Sequence, residues 1–201
     1  FVMLRSVILS FAVSLVVSLS GFFYLEHLLE KNQNEFIKDF YESENAVIIS
    51  PHSLRKKMAE KKNDFVLVDL RSEQEYRHEH IIGSINVPAY KTPDKSAYDD
   101  KERIIMSFQK IITENPGKEI IIHCYSSACM TGRKIGKMLS EKGIYVKHLA
   151  IGWNEWRYSW NLWNHDGEAP SKVEDYVVSE TLSSEKQEDS SSVCTQGEFN
   201  C

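Results

Sequence analysis

The sequence has no excess of basic residues. Its 24 Lys and Arg face 29 Asp and Glu, a net charge of −5 over 201 residues, so it lacks the electrostatic footprint that argues for nucleic acid as the main partner. It has no internal repeat and only four cysteines, none in a C-x-x-C pair of the kind that marks thioredoxin-like redox motifs. Cys194 and Cys201, near the C-terminus, have too few ligand-type neighbours for a metal site; no metal and no organic cofactor are expected. The apolar share of 42% with 11% aromatics is too high for a wholly disordered chain.

The stretch Ser6–Leu25 has no charge at all. About 20 apolar residues are enough for a helix to cross a bilayer, and scattered serines make no polar face, which argues against a buried core helix. Arg5 precedes the run and Glu26 and Glu30 follow it, so the positive-inside rule puts the remainder of the chain on the extracytoplasmic, periplasmic side. Ser18-Leu19-Ser20 offers small residues where a signal peptidase would cut, before Gly21. Phe22-Phe23-Tyr24 instead prolongs the apolar run as an interfacial aromatic belt, and an uncleaved anchor over residues 1–25 is the preferred reading. The chain opens on Phe1, so the natural start is expected at Met3 or upstream. Residues 26–45, with Phe36, Ile37, Phe40 and Tyr41 among charges, read as an amphipathic linker helix. Residues 171–201 carry seven acids against two bases, and a disordered acidic, Ser-rich tail is expected over 164–201.

Between these ends, over 46–163, strand and helix patterns alternate. Ala46–Ile49, Phe65–Leu70, Ile85–Val87, Ile120–His123 and Tyr145–Ala150 read as strands. FVLVDL and IIIH are nearly continuous apolar runs, as in a parallel sheet covered on both faces. Helical patterns fill Ser53–Lys62 (Ser53 as N-cap), Asp99–Glu114 (stripe Ile104, Ile105, Phe108, Ile111, Ile112) and Thr131–Lys142, with Asn115-Pro116-Gly117 and Gly143 as stops. This alternation predicts an α/β fold with helices on both faces of the sheet.

In such sheets ligands bind at strand C-termini. Two loops qualify there. One follows Asp69 and includes Arg71. The other is Cys124-Tyr125-Ser126-Ser127-Ala128-Cys129-Met130, directly before the helix at Thr131. A cysteine in such a turn meets inward backbone N–H groups and a helix N-terminus, both of which stabilise an anion on sulfur. The alternative is an inert buried thiol.

The stretch Phe65–Tyr90, with its strand ending in Asp-x-Arg and its His-Ile-x-Gly-x-Ile-Asn-x-Pro turn, resembles the first signature of rhodanese-like domains. Glu119–Trp156, an apolar strand, Cys, loop, helix and a closing Leu149-Ala150-Ile151-Gly152-Trp153-Asn154-Glu155-Trp156, resembles the second. The resemblance implies a five-stranded parallel sheet with helices on both faces, behind the N-terminal helix. It implies a sulfurtransferase that holds sulfane sulfur as a persulfide on Cys124, within the backbone of Tyr125, Ser126, Ser127, Ala128, Cys129 and Met130. Asp69, Arg71 and Arg133 are expected to support the site. The donor would be thiosulfate or a persulfide, and the acceptor a thiol, cyanide or a partner's cysteine.

The loop is longer than the common short form. It has no Lys or Arg between Cys124 and Arg133, so no cation to favour dianionic thiosulfate is expected there. Cys129 is placed to pair with Cys124 as a resolving thiol. Phosphatases of this fold use His-Cys-x5-Arg; here Met130 stands at the Arg position, and no guanidinium clamps a phosphate. The alternatives to sulfur transfer are a Cys124/Cys129 redox protein and a non-catalytic docking module. His123 and His80 are expected to be packed structural histidines, Trp153 and Trp156 to pack in the core or at its rim, and Tyr158, Trp160 and Trp163 to form an amphipathic helix covering the sheet rather than a partner surface.

Overall fold

The computed structural model describes residues 2–29, 33–97, 99–165 and 171–179. The chain divides between Asn45 and Ala46 into two compact units.

The first unit is helical. Helix α1 runs Val2–Leu29, and within it Met3–Glu26 is long and apolar enough to cross a membrane or to serve as a signal sequence. Helix α2 spans Gln33–Val47. It begins later and ends later than the expected 26–45, so Ala46 and Val47 belong to a helix rather than to the first strand. Phe36, Ile37, Phe40 and Tyr41 are all exposed on it.

The second unit is an α/β domain. In chain order its elements are β1 (Ile48–Ile49), α3 (Pro51–Ala59), β2 (Phe65–Asp69), α4 (Glu73–His78), β3 (His80–Ile81), β4 (Ile85–Asn86), β5 (Tyr90–Thr92), β6 (Lys95–Ser96), α5 (Lys101–Glu114), β7 (Glu119–His123), α6 (Thr131–Ser140), β8 (Lys147–Leu149), α7 (Trp153–Tyr158), α8 (Trp160–Trp163), a 3₁₀ turn at Val173–Tyr176 and β9 (Val177–Val178). Five strands form one sheet in the order β1-β8-β7-β2-β4, and every pairing in it is parallel. Each of the five expected strands is present in it. The central pair β2/β7 is in register from Phe65↔Glu119 to Asp69↔His123, so both strands end at the same lip.

Side chains alternate across a strand, and here the alternation sorts two cores. Val66, Val68, Ile120 and Ile122 face α5 and α6, where Ile104, Phe108, Ile135 and Leu139 cover them. Leu67 and Ile121 face the other way, beneath Leu54 of α3 and the four tryptophans of α7 and α8. Burial on both faces is why these strands read as continuous apolar runs rather than alternating ones. Each large side chain so buried contributes roughly 1.5–3 kcal/mol of transfer free energy.

Three boundaries differ from expectation. Helix α3 is capped by Ser50, whose Oγ accepts from Ser53 N at 3.1 Å, with Pro51 in the first turn; Ser53 is inside the helix, because proline takes an opening position where its missing N–H costs nothing. Ile112 lies at the rim of the α5 stripe, 37% exposed. Residues 171–179 do not continue as an unstructured tail. Tyr176 O accepts from Ile82 N at 3.0 Å, and β9 pairs antiparallel with β3, Ile81↔Val177. Tyr176 stacks on Trp160, with ring centroids 5.5 Å apart, which gives this segment an apolar seat despite its charged neighbours. Apart from Asn164 and His165, the rest of the expected tail, including Cys194 and Cys201, lies outside the described residues.

Candidate active site

The site stands on the paired ends of β2 and β7. At the end of β2, Asp69 is fully buried, and Arg71 is nearly so. Asp69 Oδ1 accepts from Arg71 N at 2.8 Å, and Oδ2 accepts from Arg71 Nη2 at 2.7 Å. Arg71 Nη2 also donates to Glu79 O at 2.7 Å, and its guanidinium lies 4.1 Å from the centre of the Trp153 ring. One cation thereby joins β2, the start of β3 and α7. Burial works to raise the Asp69 carboxyl, but His123, Arg71 and the Arg71 hydrogen bonds outweigh it and hold the group below the usual carboxylate range. A buried charge is tolerable only when paired in this way.

His123, the last residue of β7, is fully buried. Its Nε2 stands 3.7 Å from Asp69 Oδ2, beyond hydrogen-bond range, and has no partner. Burial pushes this imidazole below its ordinary value, against the pull of Asp69. It is a packed histidine, as expected. His80 has a similar part: Nδ1 donates to Tyr76 O at 2.7 Å and the ring stacks on Tyr76.

Cys124 follows β7 and is 1% exposed. Its Sγ is bonded to that of Cys129, with the two Cα atoms 6.4 Å apart. The loop between them is held from three sides. Trp153 N donates to Cys124 O at 2.8 Å, and Asn154 N donates to Tyr125 O at 2.8 Å. Gly152 lies directly on the Tyr125–Ser126 peptide; a Cβ there would come within 2.1 Å of Ser126 N. Glu155 Oε1 accepts from both Ser127 N and Ser127 Oγ at 3.0 Å, while its Oε2 accepts from Gly152 N at 3.0 Å. Burial raises the Glu155 carboxyl, but these donated N–H groups more than offset it and keep it below its ordinary value. On the opposite side, Tyr125 OH donates to Glu75 Oε2 at 2.5 Å, and Ser72 Oγ shares that oxygen. Burial, with Glu75 beside it, raises the Tyr125 phenol, so it stays a donor.

Two loop amides are engaged within this frame: Ser127 N on Glu155, and Cys129 N on Ser126 O at 3.0 Å. Helix α6 then begins at Thr131 with Met130 before it and no side chain capping its first turn. Uncapped first-turn amides and the helix dipole favour an anion at that end. Thr131 Oγ1 and Tyr90 OH share a hydrogen bond of 2.6 Å, and Tyr90 meets Tyr125 edge-on at 5.0 Å.

Arg133, expected to support the site, reaches the loop itself. Arg133 Nη1 donates to Ser127 O and Cys129 O, at 3.3 and 3.4 Å. Helical side chains lean toward the N-terminus of their helix, so an arginine in the first turn of α6 reaches back over the loop that precedes it. Behind the same turn, His148 of β8 packs so closely on Gly132 that a Cβ there would meet its ring at 2.2 Å. Burial, with Arg133 and His123 nearby, takes His148 down to about 4.

Sequence alone assigns no part to Gly152, Glu155, Glu75 or Tyr90. Ser72-x-x-Glu75 is a readable capping box, and it is formed. Gly152-x-x-Glu155 carries the same spacing, with glycine at the cap position. Neither pattern says that its glutamate also reaches the cysteine loop.

Known proteins resemble part of this chain. Among curated proteins the chain is similar to the thiosulfate:glutathione sulfurtransferase of Saccharomyces cerevisiae, 37% identical over 95 residues that cover 45% of this chain and 63% of that protein. It is also similar to an HTH-type transcriptional regulator of Mycobacterium tuberculosis, 28% identical over 94 residues, 47% of this chain and 35% of the regulator. The chain thus spans between about a third and just under two thirds of the curated relatives it matches. A solved structure from Bacillus halodurans is 23% identical with a TM-score of 0.46, covering 64% of this chain and 82% of that one. Residues 50–159 match the model of the rhodanese-like domain. That match takes in more than half of the chain and contains both the Asp69–Arg71 pair and the cysteine loop, and so the chain belongs to the rhodanese-like domain family.

Proposed function

We propose that this protein is a sulfurtransferase in which Cys124 takes sulfane sulfur from a donor, holds it as a persulfide and passes it to a thiol. The observation that carries this reading is the position of Cys124: at the C-terminal end of β7, in a braced loop that runs into the uncapped first turn of α6. Ser127 N and Cys129 N are spent elsewhere, so an anionic sulfur on Cys124 would draw on other loop amides and on the uncapped first turn of α6. Asp69 and Arg71 keep Trp153, and through its N–H the carbonyl of Cys124, in place. Arg133 supplies the positive charge that an anionic donor needs. Thiosulfate with glutathione is the first donor and acceptor pair to try, as the name of the yeast relative suggests. Helix α1 serves as an uncleaved anchor, with Arg5 on the cytoplasmic side and the domain outside.

The test is sulfite release. Reduced full-length protein, given thiosulfate and glutathione, is expected to release sulfite steadily, and Cys124→Ser is expected to fall to the uncatalysed rate. Undiminished release from that variant would sink the assignment.

A further inference from the structure

Sulfur transfer by a single cysteine needs no second thiol, yet this loop holds one in bonding contact with Cys124. The loop brings the pair together by more than the disulfide. Cys129 N donates to Ser126 O, closing a tight turn, and Arg133 holds the Cys129 carbonyl. Glu155 anchors the turn at Ser127. These contacts aim Cys129 back at the end of β7. The two sulfurs also differ in access, since Cys124 is 1% exposed and Cys129 is only half-buried.

We propose that Cys129 is a resolving thiol that converts the Cys124 persulfide into released sulfide, giving the protein a persulfide-reducing activity; this rests on Cys124 being the sulfur carrier. The Cys129 thiolate attacks the Cys124 Sγ. The bond between that Sγ and the outer sulfur breaks, and its electron pair leaves with the outer sulfur as hydrosulfide. A Cys124–Cys129 disulfide forms. The outer sulfur gains two electrons, and the two cysteines lose them. The disulfide is the product of that step, and resetting it takes a thiol reductant. The reductant's thiolate attacks the reachable sulfur, Cys129, and expels Cys124 as a thiolate at the N-terminal end of α6. A thiol whose anion is stabilised leaves faster, so access and leaving-group chemistry select the same direction. A second thiol of the reductant then frees Cys129 and leaves the reductant oxidised.

The experiment uses the full chain, reduced, freed of reductant and mixed with thiosulfate. Wild type is expected to end about 2 Da lighter than the reduced chain, with one sulfide released per chain, whereas Cys129→Ser and Cys129→Ala stay about 32 Da heavier and release none. If wild type also keeps the heavier mass and releases no sulfide, the resolving role fails while the sulfur carrier stands. If neither Cys129 variant ever gains the mass, the carrier itself fails, and the resolving role with it. In a second arm the oxidised chain meets limiting glutathione. The mixed disulfide is expected on Cys129, and finding it on Cys124 would overturn the direction of reset.

Discussion

The ends of β2 and β7 lie side by side, come from equally apolar strands and are stabilised by opposite means. The β2 end is closed. Asp69 and Arg71 satisfy one another out of contact with water, and Arg71 has a carbonyl and an indole face as further partners. The β7 end is open. Its loop owes its shape to backbone bonds from Trp153 and Asn154, to a glycine contact and to the carboxylate of Glu155, with Ser127 and Ala128 exposed at its tip. The two are linked through Trp153, which lies under the Arg71 guanidinium and donates its N–H to Cys124 O. A buried ion pair is poor value as a source of net stability, but it is a rigid post. The difference between the ends separates a buried ion pair from a loop that holds the Cys124–Cys129 disulfide.

That contrast predicts lesions of different character. The largest effect is expected at the closed end. Asp69→Asn leaves Arg71 charged and buried without a counter-ion, and denaturant unfolding should show a loss of about 3–5 kcal/mol. A loss under about 1 kcal/mol would mean that water reaches Arg71 and that the post is not rigid.

Next comes His148, beneath the open end. Its native value near 4 lies below the ordinary 6.5, so between those values the unfolded chain binds a proton that the folded chain refuses. Stability therefore falls as pH drops from about 6.5 to about 4 and levels off below, by an amount on the order of 3 kcal/mol. Urea midpoints measured across that window in wild type and in His148→Asn check this; parallel pH profiles would exclude His148 as the source.

The smallest stability effect is expected from Glu155→Gln, about 1–2 kcal/mol, because the amide oxygen still accepts from Ser127 while the NH2 in place of the other oxygen cannot accept from Gly152 N, and the charge is lost. Its sulfite-release rate should fall further than that loss of stability implies, since the loop alone is loosened. Equal loss in Asp69→Asn and Glu155→Gln would erase the distinction between post and loop.

Much of this molecule was legible in its sequence, and the reasons are physical. Phe65–Asp69 and Glu119–His123 announce themselves because burial on both faces demands apolar residues at every position. Asp69, Arg71 and Cys124 were findable because they follow such strands. The rest depended on which residues come together across the chain. Glu155 is 28 positions from Ser127, and nothing in either residue names the other. Gly152 is required by a backbone contact, which leaves no periodic pattern. That Arg133 holds the carbonyls of Ser127 and Cys129 is set by the turn of a helix, which distance along the chain does not show. The 171–179 segment was hidden by acidic neighbours, its few apolar residues too short a run to compete until the tryptophans gave them a surface.

Those tryptophans have a practical consequence. All four in the sequence fall between residues 153 and 163, shielded from solvent, with Tyr176 lying against Trp160. Intrinsic fluorescence of this protein is therefore a local gauge. Its emission colour reports whether the closing helices and the Val177–Val178 strap are seated, largely independent of what happens on the α5–α6 side of the sheet.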